Sequence, residues 1–156
     1  MGAEQFQHDS QTALRMEPLD LSDLPEHSLL LLDSAPIIYV LEGHPKFGPR
    51  FNPLFDAHRA GAVRFATTTI TVAEVLTGPY QARDEAVARR YRAILESWQV
   101  IELNSDIAES AARLRGSLKL KLADAVQAAS ALAVNAAALV THDRDFSRVR
   151  SLRVIS

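Results

Sequence analysis

Leu29-Leu30-Leu31-Leu32-Asp33-Ser34-Ala35-Pro36-Ile37-Ile38-Tyr39-Val40-Leu41-Glu42-Gly43-His44 is the stretch on which the fold turns. Its opening is a short, continuous apolar run bounded by polar residues. Such a run predicts a strand buried on both faces, as in the middle of a parallel sheet. Asp33 stands at the carboxyl end of that strand. Ser34 can cap a helix and Pro36 suits its first turn. Ile37 to Leu41 continue the helix, and Gly43 is a good stop.

The rest of the chain repeats the alternation. Residues 50–60 predict a second helix with Phe51, Leu54, Phe55 and His58 on one face, ended by Gly61. Val63 to Thr67 predict a second strand. A short helix from Thr69 or Thr71 runs through Val72, Val75 and Leu76, with Gly78-Pro79 expected to stop it. Residues 82–97 are helix formers throughout, and Val100 to Leu103 predict a third strand. Asp106 opens a helix through Leu118, and residues 122–134 form another, rich in alanine. Ala137 to Thr141 and Leu152 to Ile155 predict the fourth and fifth strands. Strands separated by helices imply an α/β fold, a parallel sheet covered on both faces.

A length of 156 residues suggests one domain with a real core. The 47% hydrophobic and 23% charged content argues against a wholly disordered chain. The absence of cysteine excludes disulfides, thiolate zinc sites and a cysteine nucleophile. No apolar run approaches the length needed to cross a bilayer. No basic stretch followed by an apolar one opens the sequence, so no signal peptide is expected and the cytoplasm is the default location.

The net charge of −2 hides an asymmetry. Residues 1–28 hold six acids and one base, whereas residues 29–156 hold 13 acids and 16 bases. The first segment also lacks apolar periodicity and carries Pro18 and Pro25. It is expected to be an acidic extension, flexible or loosely docked, before a mildly basic domain at 29–156. The alternative is that it packs along the domain through Leu19, Leu21 and Leu24.

In a parallel α/β sheet, ligands sit beyond the carboxyl ends of the strands, where the strand order reverses. Asp33 follows the first strand and Asp143 the fourth. Glu74 lies on the helix after the second strand, and Asp124 opens the alanine-rich helix before the fourth. If the first and fourth strands are neighbours, these four carboxylates converge. Crowded carboxylates repel unless one stays protonated or a cation joins them. Oxygen ligands without cysteine favour Mg²⁺ or Mn²⁺ over zinc, and such a site suits metal-assisted hydrolysis of a phosphodiester. Singly, each acid has a plainer role: Asp33 a helix cap, Glu74 a solvated helix residue, Asp124 a partner of its helix dipole, Asp143 and Asp145 a polar turn.

Four segments in order resemble the PIN-domain nucleases, notably VapC-type toxins. The first is Leu29 to His44, quoted above. The others are Thr67-Thr-Thr-Ile-Thr-Val-Ala-Glu74-Val-Leu-Thr-Gly78-Pro79, Leu118-Lys-Leu-Lys-Leu-Ala-Asp124-Ala-Val-Gln-Ala-Ala129 and Ala138-Leu-Val-Thr-His-Asp143-Arg-Asp145-Phe146. The resemblance implies a three-layer sandwich with a central parallel five-stranded sheet flanked by helices. It also implies a Mg²⁺- or Mn²⁺-dependent endoribonuclease with Asp33, Glu74, Asp124 and Asp143 as its acidic quartet. By the same resemblance Asp145 is an auxiliary metal ligand, and Ser34 stands beside the first acid, behind the metal or on a phosphate. A small antitoxin protein and a homodimer are further implications. Two features depart from the pattern: the long extension before Leu29, and Ala35-Pro36 where many members carry Asn and an apolar residue.

Basic residues that could meet RNA backbone are Arg83, Arg89, Arg90, Arg92, Arg113, Arg115, Lys119, Lys121, Arg144 and Arg148, most of which also suit solvated helix faces. His142 and His44 are expected to be turn residues, because no histidine pair has metal-ligand spacing. A phosphoacceptor receiver domain would need an acidic pair and a late lysine, and no lysine follows Lys121. A two-aspartate phosphatase would need an acid at position 35, which is alanine. A catalytically silent PIN-like scaffold or interaction module is the remaining alternative.

Overall fold

The computed structural model describes residues 17–156. The leucine run forms β1 (Ser28–Leu32), buried at every position. It pairs in parallel with β2 (Val63–Thr68) on one side and β4 (Ala138–Val140) on the other. β3 (Gln99–Ile101) flanks β2, and β5 (Val154–Ile155) flanks β4. The sheet order is therefore β3-β2-β1-β4-β5, all parallel.

Successive side chains of a strand point to opposite faces, so a strand of leucines serves two cores at once. Leu29 and Leu31 pack with Ile107 and Ala111 of α5 (Ser105–Leu118) and with Ala125, Ala128 and Ala129 of α6 (Leu122–Ala133). Leu30 and Leu32 pack on the other face. Their neighbours are Ile37 of α1 (Ser34–Leu41), Phe51 and Leu54 of α2 (Gly48–Arg59), Val75 of α3 (Thr69–Gln81) and Leu95 of α4 (Glu85–Glu96). The result is the expected three-layer sandwich. Each buried leucine of β1 contributes about 1.5–3 kcal/mol to one core or the other.

Most expected elements are present within a few residues. The third strand ends at Ile101 rather than Leu103 and the fifth begins only at Val154, while α3 does not stop at Gly78-Pro79 but continues to Gln81. Proline forfeits one helical hydrogen bond. Pro79 is buried, as is Val75 one turn before it on the same face, and α3 packs against α4. Burial of that face holds the last turn. The turn after β4 is also more ordered than a plain polar turn, because Arg144–Arg148 form a short 3-10 helix. No helix among the described residues is long and apolar enough to cross a membrane.

The first sixteen residues of the acidic extension lie outside the described residues. Residues 17–27 run along the domain. Leu19, Leu21 and Leu24 are half-buried against the core that contains Phe51 and Leu54. The Leu19 N–H donates to the Arg50 carbonyl at 3.1 Å, and the Arg50 guanidinium donates to the Glu17 carbonyl at 2.7 Å and to the Ser156 carbonyl. Arg153 donates to both carboxylate oxygens of Asp23, at 2.9 and 2.8 Å. Exposed ion pairs contribute little, so the leucines carry this contact. Deleting residues 1–24 is expected to lower the thermal midpoint by about 5 °C or more, at roughly 2–4 °C per kcal/mol for a protein of this size. Scanning calorimetry reads the shift, and an unchanged midpoint would show that the contact contributes nothing.

Candidate active site

Asp33 is held by the sheet itself. Its N–H donates to the Val140 carbonyl at 2.8 Å, which carries the β1–β4 pairing one residue past the strand. Its backbone is extended (φ −75°, ψ 166°), and its Oδ1 caps α1 by accepting the Ser34 N–H at 2.9 Å. The strand order reverses between β1 and β4, so this carboxylate stands at the mouth of the crevice the sheet must leave there.

Buried neighbours fix its orientation. Oδ1 also accepts from Gln127 Nε2 at 3.0 Å, and Oδ2 accepts the Thr141 hydroxyl at 2.9 Å. The Thr141 oxygen in turn accepts the Asp143 N–H at 3.0 Å, and Asp143 Oδ1 accepts the Asp145 N–H at 2.9 Å. One chain of hydrogen bonds thus runs from Asp33 into the turn that carries the last two acids.

A single open pocket is lined by Asp33, Ser34, Glu74, Asp124, Gln127 and Asp143, together with Ala35, Tyr39, Ala123, His142 and Arg144. All four acids of the expected quartet share it. The tightest group is Asp124, Asp143 and Asp145, whose carboxylates each offer an oxygen within 4.8 Å of the others. Asp33 and Glu74 line the same pocket outside that tight trio. Asp124 stands in the first turn of α6, and its Oδ2 is buried with no hydrogen-bond partner. An unpartnered carboxylate oxygen, on a side chain grouped with two further carboxylates, fits a divalent cation, and the all-oxygen donor set is that of a hard one.

The crowding appears in the acidities. Burial, then the charges of Asp143 and Asp33, raise the Asp124 pKa; Lys121 opposes them and Asp145 adds to the rise. Burial, then the Asp33 charge, raise the Glu74 pKa, while a hydrogen bond from Ser34 opposes the rise and Asp124 reinforces it. His142 moves the other way, lowered by burial and by the cations Arg50, Arg144 and Lys46. Its Nδ1 lies 3.1 Å from the Tyr39 hydroxyl, and its ring centroid is 4.6 Å from that of Phe47. His142 is therefore a packed wall of the pocket.

Sequence reading missed Gln127, Thr141 and Tyr39. A signal existed for Gln127: it is the one long polar residue in a run of buried alanines, three positions after Asp124. Of the basic residues singled out, Arg144 lines the pocket. Arg89, Arg92 and Arg113 pair with glutamates one turn away on their own helices and are exposed.

The family model described as PIN domain matches residues 30–152. No curated protein matches the chain significantly. Among solved structures, a toxin–antitoxin complex from Klebsiella pneumoniae is similar at 27% identity and a TM-score of 0.65, covering 81% of this chain and 96% of that one. VapBC2 from Rickettsia felis, bound to a DNA fragment from its promoter, aligns at 22% identity and a TM-score of 0.66, covering 81% and 97%. VapC20 from Mycobacterium tuberculosis, a sarcin-ricin loop cleaving toxin, aligns at 16% identity and a TM-score of 0.65, covering 77% and 94%. The last two likenesses concern the fold.

Raised carboxyl pKa values make the metal-free fold most stable when those groups are protonated. That stability is lost as the pH rises through their folded-state values. Asp124→Asn is therefore expected to raise the thermal midpoint of the metal-free protein at neutral pH, and the gain should shrink toward the ordinary carboxylate range. Thermal melts across pH check this, and a midpoint lowered by the substitution at neutral pH would contradict it.

Proposed function

The chain belongs to the PIN domain family, and from that membership and its acidic pocket we propose that it is a Mg²⁺- or Mn²⁺-dependent endoribonuclease, the toxin of a toxin–antitoxin pair. The observation that carries the reading is the convergence of Asp33, Glu74, Asp124 and Asp143 on one pocket at the sheet's switch point, with Asp124 Oδ2 lacking a partner. A silent scaffold would have no need of that convergence, which leaves carboxylates repelling one another.

In this reading Asp124, Asp143 and Asp33 hold the cation directly or through water, and Asp145 is an auxiliary ligand. A cation held there would stabilise negative charge on a phosphoryl oxygen and lower the pKa of a bound water. Glu74, the acid carried on α3, orients the attacking water or helps to hold a second cation. Ser34, which follows Asp33 at the start of α1 and lines the same pocket, stands behind the metal or meets the phosphate. Attack in line with the departing 3′-oxygen leaves a 5′-phosphate and a 3′-hydroxyl. Arg144 at the same pocket can meet the RNA backbone.

The partner in this reading is a short antitoxin whose Arg or Lys enters the acidic pocket and displaces the cation, as charge complementarity favours. The toxin–antitoxin complex from Klebsiella pneumoniae among the structural neighbours supports such a partner. A homodimer acting in the cytoplasm belongs to the same proposal.

Asp33→Asn and Asp124→Asn should each abolish cleavage while leaving the fold intact. The loss should exceed the roughly 10–100-fold cost of removing an outer partner at a metal centre. Cleavage-site mapping on total cellular RNA, wild type against Asp33→Asn, reads this and identifies the substrate. Cleavage should need Mg²⁺ or Mn²⁺, with zinc a poor substitute. Undiminished cleavage in excess chelator would overturn the proposal.

A further inference from the structure

Gln127 is 1% exposed, in a helix whose neighbouring Ala125, Val126, Ala128 and Ala129 are all buried. An apolar side chain of similar bulk would suit such a position, and a buried amide is costly unless its bonds are made. Gln127 makes them. Its Nε2 carries two protons and has two acceptors, Asp33 Oδ1 at 3.0 Å and Thr71 Oγ1 at 2.6 Å. Its Oε1 accepts the Thr68 hydroxyl at 2.5 Å. Thr68 also caps α3 by accepting the Thr71 N–H at 3.2 Å. Reversing the amide would set its oxygen against the Asp33 carboxylate, so its orientation is determined.

The partners sit on the elements that carry the acids. Gln127 lies one turn after Asp124 on α6, and Thr71 lies one turn before Glu74 on α3. Residues three apart on a helix share a face. We propose that Gln127 is a positioning residue: its buried amide ties together the elements bearing Asp33, Glu74 and Asp124 and holds the Asp33 carboxylate in the orientation that receives the cation. With Thr141 on Oδ2, the amide leaves Asp33 little freedom to turn away from Asp124 and Asp143. This role rests on the divalent-cation reading above.

The test uses the full chain, Gln127→Met (which keeps length and bulk), and Mn²⁺ as the probe. Titration calorimetry gives the Mn²⁺ dissociation constant, and thermal melts of the same samples report the fold. The expected result is a dissociation constant raised roughly 10-fold or more. In an Asp33→Ala background the same substitution should change it by less than about 2-fold, because the carboxylate it positions is gone. A purely structural amide would lower the melting temperature and leave Mn²⁺ affinity unchanged; that result, or an equal loss in both backgrounds, overturns the inference. If Gln127→Met does not fold, Gln127→Asn, which withdraws the amide by one methylene, must give the same loss of affinity. A wild-type protein that binds no Mn²⁺ would instead overturn the cation reading, and this inference with it.

Discussion

Carboxylates brought together in a half-buried pocket repel one another, and this structure is built around tolerating that repulsion. Burial and neighbouring charge push the pKa values of Glu74 and Asp124 upward, and one oxygen of Asp124 is left without a partner. Lys121 and Ser34 offset only part of this, and a proton or a cation joining the pocket would relieve the rest. The stability needed to hold the acids in place must come from elsewhere in the molecule.

It comes from the sheet and from a small set of buried hydroxyl and amide groups. β1 serves two cores with alternate leucines, so the backbone that delivers Asp33 is among the most constrained parts of the molecule. The parallel order β3-β2-β1-β4-β5 puts the ends of β1 and β4 side by side. The fully buried Thr141 joins Asp33 to the Asp143 turn, and the nearly fully buried Gln127 joins it to α3 and α6. Gln127, Thr68, Thr71 and Thr141 each bond another of these groups or Asp33, which makes the network rigid as well as affordable at depth.

The fold was legible because its strongest signals are local. A run of four leucines bounded by polar residues and followed by helix-start signals at Ser34 and Pro36 reads as a central strand, and alternating elements imply a parallel sheet. What escaped was decided by tertiary contact. The extension of α3 past Gly78-Pro79 depends on the burial of Val75 and Pro79, which local propensity does not contain. The four acids could be named from their positions at strand ends and helix starts. The tight grouping of Asp145 with Asp124 and Asp143 depends on the 3-10 turn that carries it. Gln127 and Thr141 carry no charge that would mark them in the sequence, although they lie three residues after Asp124 and two before Asp143.

In the function proposed, the pocket bounded by Asp33, Glu74, Asp124 and Asp143 is a divalent-cation site. A crystal of the protein soaked in Mn²⁺ and measured for anomalous scattering tests it most directly. The expected result is a peak bounded by the carboxylates of Asp124, Asp143 and Asp33. A pocket without a peak, or Mn²⁺ bound only to acids elsewhere on the surface, would contradict it.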